Sequence, residues 1–242
     1  VRALQELGFS RDKKIVMLWT TDEELGSDVS RLSIEDEAKH SSVAFVLEPG
    51  LPGGAVKTGR KGCGEFELVV EGVAAHAGIE PGKGASAIHE LVRLIGAVRA
   101  LHDLERGISV NVGTISGGTR SNVVAESARA TIDLRALTIA DMEALESVFH
   151  NLSAETQGTA LSVTGGFSRP PLERSEGVVK LYKQARAIAA EINLELREGS
   201  TGGGSDGNFT AALGIPTLDG LGAIGDGAHA LHEHVEMTHL PW

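Results

Sequence analysis

The stretch Thr20-Thr21-Asp22-Glu23-Glu24-Leu25-Gly26-Ser27 constrains this chain most. An apolar run, Ile15-Val16-Met17-Leu18-Trp19, leads straight into it. A short apolar run bounded by turn residues predicts a buried strand over Lys14–Trp19. Adjacent acids at the end of such a strand repel one another and raise each other's pKa. A bound cation would remove the conflict. A solvated acidic turn that caps the next helix would accommodate it as well. The rest of the chain must supply the partners that decide between the two.

The 242 residues suffice for one large domain or two modest ones. A formal net charge of −11 argues against a nucleic-acid surface, and no apolar stretch is long enough to span a bilayer. The single cysteine, Cys63, excludes a disulfide framework and a cysteine-rich zinc site. Glycine is plentiful at 31 residues while aromatics make up only 4%, a balance that suits loop-borne chemistry better than binding through aromatic anchors. Val1, Leu4 and Leu7 stand at helical spacing before Gly8, so the chain is expected to be an N-terminally truncated piece of a longer protein. A cytoplasmic location is the expectation.

Beyond the acidic loop, Ser33-Ile34-Glu35-Asp36 resembles a capping box and predicts a short helix toward His40. Val43–Leu47 predicts a second buried strand, ending in Glu48-Pro49-Gly50. Strand, helix, strand points to an α/β sheet flanked by helices, where ligands gather at the strands' carboxyl ends. From Gly62 the pattern changes. Phe66, Leu68 and Val70 alternate with glutamates, and an amphipathic helix follows between Gly84 and Leu101. Strands are expected at Ile108–Val112 and Ala128–Arg135, a helix capped by Thr138, and a strand at Leu161–Val163. Strand–helix–strand–strand–helix–strand is the order of a ferredoxin-like α+β domain. The predicted division is residues 1–61 with 171–242 as one domain, and residues 62–170 as the inserted one. Ser175 caps a long helix, and short strands are expected at Leu194–Leu196 and Ile215–Leu218.

Neighbouring residues of an extended chain face opposite ways. Of Glu23 and Glu24, one can therefore ligate a metal while the other serves as a base. Glu48 offers a further oxygen. His229 lies in a glycine-flanked loop, with His232 and His234 as rival ligands, and the three also suit a surface histidine tract. Gly202-Gly203-Gly204-Ser205-Asp206-Gly207 fits G-x-G-x-x-G, which keeps a dinucleotide-binding oxidoreductase in view, although the strand before it is too short and alternating. Ser205 and Asp206 are also expected to cap a helix. His76 and Arg135 taken alone are equally well an ordinary loop histidine and an exposed strand arginine.

Taken together, Thr21–Ser27, Glu48-Pro49, Ala75-His76-Ala77-Gly78, Ser121-Asn122-Val123-Val124, Asp133-Leu134-Arg135, Gly204-Ser205-Asp206 and Gly227-Ala228-His229-Ala230 resemble, in order and spacing, the zinc-dependent aminoacylase and carboxypeptidase family. That family includes glutamate carboxypeptidases, the nearest in resemblance, and acetylornithine and succinyl-diaminopimelate deacylases. The resemblance covers essentially the whole chain. It implies a zinc-exopeptidase-like mixed sheet with an inserted ferredoxin-like dimerisation or lid domain, and a homodimer. It implies two Zn2+ ions, with Co2+ or Mn2+ as substitutes, and a small peptide or N-acyl amino acid as substrate. By the same resemblance Glu23 is the general base acting on a metal-bridging hydroxide. Glu24, Glu48 and His229 are metal ligands, and His76 polarises the scissile carbonyl. Asn122, Arg135 and Arg169 hold the substrate's carboxylate end. The family's upstream His-x-Asp and bridging aspartate are not in this chain, so the 242 residues alone are expected to be inactive. A catalytically silent, dimer-forming homologue is the alternative.

Overall fold

The computed structural model describes residues 13–239, together with Glu6 and Gly8. The helix expected over Val1, Leu4 and Leu7 lies outside the described residues.

Between Gly62 and Arg169 the alternating strands build one four-stranded sheet. It comprises β3 (Gly62–Glu71), β4 (Ser109–Gly117), β5 (Ser127–Ala136) and β6 (Ala160–Arg169). All pairings are antiparallel, in the order β4-β5-β3-β6, the ferredoxin-like arrangement. Helices α2 (Ala87–Arg99) and α3 (Ile139–His150) cover one face. The core follows from the period-2 pattern. Phe66, Leu68, Val70, Ala130, Ile132 and Leu134 point inward against Leu91, Leu94, Leu145 and Phe149, all buried. Each large side chain so buried contributes about 1.5–3 kcal/mol. Phe66 and Phe149 stack with centroids 4.5 Å apart. Both helices are capped by hydroxyls: Ser86 accepts from the His89 N–H, and Thr138 from the Asp141 N–H.

Charged side chains of this unit are buried at Glu90, Asp141 and Arg169. Glu90 of α2 is fully enclosed, bonded by Arg93 at 2.6 Å, by the Thr156 hydroxyl at 2.5 Å and by the N–H groups of Glu155 and Thr156. These donors, Arg93 first, hold its carboxyl down at about 2 from an ordinary 4.5. A depressed folded-state pKa stabilises above the unfolded value and is lost as pH falls through the folded one. The contribution should therefore be complete above about pH 4.5 and disappear toward pH 2. Allowing for the partly solvated Arg93, it amounts to about 2 kcal/mol. Urea melts of Glu90→Gln and the parent should differ by about that much at pH 7 and converge near pH 2. A constant difference across that range would exclude the linkage.

The remaining elements are α1 (Arg31–Lys39), β1 (Ala44–Phe45), β2 (Val56–Arg60), α4 (Glu176–Glu191), β7 (Glu198–Thr201), α5 (Gly207–Ala212), β8 (Thr217–Leu218), β9 (Gly225–Asp226) and β10 (His234–Val235). β1 pairs parallel with β8, and β2 parallel with β7. Lys57 and Asp219 exchange both backbone hydrogen bonds, joining β2 to the end of β8 in a mixed arrangement. Helix α4, capped by Ser175, packs on this side, with Leu181 and Tyr182 against Val56 and Leu218. No helix among the described residues is long and apolar enough to cross a membrane.

Four expectations are corrected. Residues 14–19 are extended but pair with no described strand, and Ile15 to Trp19 are exposed, Trp19 by 79%. The run is apolar as read, but burial requires a neighbouring strand, and none of the described strands adjoins it. Val43–Leu47 shortens to β1, which pairs with β8 on one side, and Phe45 and Leu47 are exposed. α1 starts at Arg31, so Ser33 lies inside it. The Asp22 carboxylate accepts from the N–H groups of Val29 and Ser30 and from the Ser30 hydroxyl, which satisfies the helix start from the acidic loop. No strand forms at Leu194–Leu196, where the Tyr182 hydroxyl donates to the Leu196 carbonyl, and pairing begins at Glu198. β2 was not anticipated, because Val-Lys-Thr-Gly-Arg shows no apolar alternation, yet all five residues are buried.

Candidate active site

Three arginines organise the site around the glycine-rich loop after β7. Arg60, at the end of β2, forks onto Asp219 at 2.8 and 3.0 Å and donates to the carbonyls of Gly203 and Gly204. Arg135 of β5 forks onto Asp133 and donates to the Gly202 carbonyl. Arg169, the last residue of β6, reaches past Gly204 to the acidic loop. A Cβ at Gly204 would lie 2.6 Å from the Arg169 side chain, so only glycine fits there. The loop thus offers carbonyl oxygens to cations. A dinucleotide loop would present its N–H groups to phosphate, so the oxidoreductase reading loses its structural basis.

Opposite this loop, Glu23–Leu25 form a single 3-10 turn closed by Gly26 at φ 101°. Arg169 donates to Glu23 Oε1 at 3.0 Å. Burial pushes the Glu23 carboxyl up. Arg169 pulls it back, and Glu48, Asp206 and Glu24 add to the rise. Glu48 is raised by burial as well, opposed by Arg60 and reinforced by Asp219. The acids therefore act on one another across a shared space. Lys57 beside them is pushed down by burial and then by Arg60.

His229 lies 3.8 Å from Glu24 through Nε2, both side chains exposed. Its backbone has φ 64°, in the left-handed region, within a turn that begins at Gly227. His232 and His234 make no ion pair with the acidic loop among the described residues. Glu48 turns instead to Arg60, at 3.8 Å. Among the described residues no three His, Cys, Asp or Glu side chains form one metal-holding group. A carboxylate oxygen and an imidazole nitrogen side by side suit two ligand positions of a divalent ion, and the described residues provide no third.

His76 is held separately. Its Nδ1 accepts from the N–H groups of Gly78 and Ile79, both at 3.1 Å, so its Nε2 carries the proton and faces outward as a donor. Asn122 lies in the turn just before Val123, which bridges His76, and its backbone carbonyl accepts from the Ala77 N–H. Among the described residues no hydrogen bond or ion pair links His76 or Asn122 to the acidic loop. Asp206 was read only as a helix cap and as part of the Gly204-Ser205-Asp206 motif, and Arg60 and Asp219 were missed as site residues. The only signal available was an arginine and an aspartate at the ends of polar or very short strands.

The fold and site define an α/β protein with acids and an imidazole at one rim and a ferredoxin-like peptidase dimerisation domain, whose family signature matches residues 58–159. The chain is similar to carboxypeptidases of the aminoacylase and carboxypeptidase type, and residues 58–159 match the dimerisation domain of such peptidases. It is 30% identical over 248 residues to carboxypeptidase G2 of Pseudomonas sp. (strain RS-16), matching 100% of this chain and 59% of that protein. An aminopeptidase PepT structure from Bacillus cereus superposes with a TM-score of 0.69 at 24% identity, over 88% of this chain and 59% of that one. A Bacillus subtilis structure described as a dinuclear metal binding peptidase superposes with a TM-score of 0.62 at 15% identity, over 90% and 59%. The chain thus spans about three fifths of the relatives it matches.

Proposed function

We propose that the complete protein hydrolyses an amide bond next to a free carboxylate, in a short peptide or an N-acyl amino acid. The observation that carries this is the paired Glu23 and Glu24 on one turn, the first held by Arg169 and the second beside His229. Glu24 and His229 would hold one divalent ion and Glu48 another. Carboxylate and imidazole donors suit zinc, with cobalt and manganese as substitutes. When bound, such ions acidify water and polarise a carbonyl. Glu23, its proton affinity raised by burial, takes a proton from the attacking water and passes it to the leaving amine. The fixed Nε2–H of His76 donates to the carbonyl oxygen. Asn122 and Arg135 hold the substrate's carboxylate, Arg135 through the Nη hydrogens that Asp133 and the Gly202 carbonyl leave over.

In this reading residues 1–61 and 171–242 form the catalytic part and residues 62–170 the dimerisation part, with a homodimer carrying His76 to its partner's site. The 242 residues alone are inactive, since two neighbouring donors do not hold a metal pair. Assays of the complete protein on dipeptides and N-acyl amino acids should show turnover. Dialysis against a chelator should abolish it, and zinc should restore it, with about two ions bound per subunit. A complete protein that binds no metal and hydrolyses nothing would instead be a silent homologue.

A further inference from the structure

We propose that Asp206 is a positioning residue for Glu23, acting through Ser27 and Arg169; this rests on Glu23 being the general base. Asp206 occupies the N-cap position of α5 yet makes no capping hydrogen bond. Its two oxygens are taken instead by hydroxyls on either side of the acidic turn. Thr20 Oγ1 donates at 2.9 Å and Ser27 Oγ at 2.5 Å. The turn is thus gripped at both ends by one carboxylate from a segment nearly 180 residues away.

Ser27 shows why the grip is needed. It is completely buried and has φ 63°, a left-handed conformation unfavourable for a residue with a Cβ. A serine there persists only where its surroundings hold it, and its hydroxyl bonds both Asp206 and Arg169 Nη2, the latter at 3.1 Å. Arg169 Nη1 reaches Glu23 Oε1 and lies 3.7 Å from Asp206 Oδ1. Its guanidinium sits 4.9 Å from the centroid of the Phe209 ring, and only 6% of the side chain is exposed. The donors of Arg169 that meet the turn therefore hold the base. Glu23 Oε1 is fixed, while Oε2, which accepts no hydrogen bond among the described residues, is left to receive the proton. The sequence motif Gly204-Ser205-Asp206 has its purpose in this clamp, with Ser205 bonded to Asp219 and the Gly207 N–H.

The test is a kinetic cycle in the complete, metal-loaded protein, using Glu23→Gln, Asp206→Asn and the double variant. Asp206→Asn should lower kcat about 10- to 100-fold, as misplacing a catalytic group does, with KM within about twofold of the parent. Once Glu23 is glutamine there is no base to position, so adding Asp206→Asn should cost about twofold at most. Ser27→Ala serves as a second entry to the cycle should Asp206→Asn fold poorly. Arg169→Lys, which retains a donor, should recover part of the kcat lost in Arg169→Gln. If Glu23→Gln alone leaves turnover intact, the general-base reading fails and the clamp with it. If Glu23→Gln is inactive while the Asp206 and Glu23 effects multiply in full, or Asp206→Asn and Arg169→Gln raise KM instead of lowering kcat, the positioning role is overturned and the base stands.

Discussion

Asp219→Ala is expected to destabilise the chain by about 3–5 kcal/mol, a large share of an ordinary domain's stability. Asp219 is fully buried and Arg60 is 4% exposed. Removing the carboxylate strands a guanidinium that cannot reach water. It also deprives the Ser205 hydroxyl and the Gly220 N–H of their acceptor. The cost comes from the orphaned charge more than from any net value of the pair, since taking both ions out of water offsets most of their attraction. The paired replacement Arg60→Met with Asp219→Leu should accordingly be less destabilised than Asp219→Ala alone. Denaturant melts of the three chains decide it. A single variant milder than the double would show that Arg60 finds another partner, with Glu48 at 3.8 Å the nearest candidate.

Glu23→Gln should reduce kcat of the complete protein by about 10²–10⁴-fold, the range expected when a general acid–base group is lost. The amide is isosteric and its oxygen can still accept from Arg169, so folding and metal content should be unchanged. KM should move little, because the proton is transferred only on the way to the transition state. Steady-state kinetics with a metal analysis of the same sample separates this from loss of the site. Undiminished turnover would remove Glu23 from the mechanism.

The two halves of the fold were unequally legible. The ferredoxin-like unit declares itself locally. Phe66, Leu68 and Val70 alternate with charge, Thr138 stands where a helix begins, and the strand order follows from the sequence of elements. Its elements stood where expected, but β4 and β6 run on past the expected ends at Val112 and Val163 to Gly117 and Arg169. The other half misled because its strands depend on neighbours more than on pattern. Ile15–Trp19 and Val43–Leu47 are as apolar as inner strands and stay exposed. Polar β2, with Lys57 and Arg60, is buried because Asp219 and the carbonyls of the glycine loop receive its charge.

The same holds for the site. Residue type and spacing offered Glu23, Glu24 and Glu48 as metal-site candidates and left His229, His232 and His234 as rivals; the family resemblance selected Glu23, Glu24, Glu48 and His229. The tertiary structure decided which of them meet: His229 comes to Glu24, Glu48 goes to Arg60, and Arg169 is drawn to Glu23 by a clamp centred on Asp206. Alternation and caps act over a few residues and can be read along the chain. Contacts such as Arg169 with Glu23, 146 positions apart, and Ser27 with Asp206, 179 apart, depend on which groups burial brings together, and that is settled only once the chain has folded.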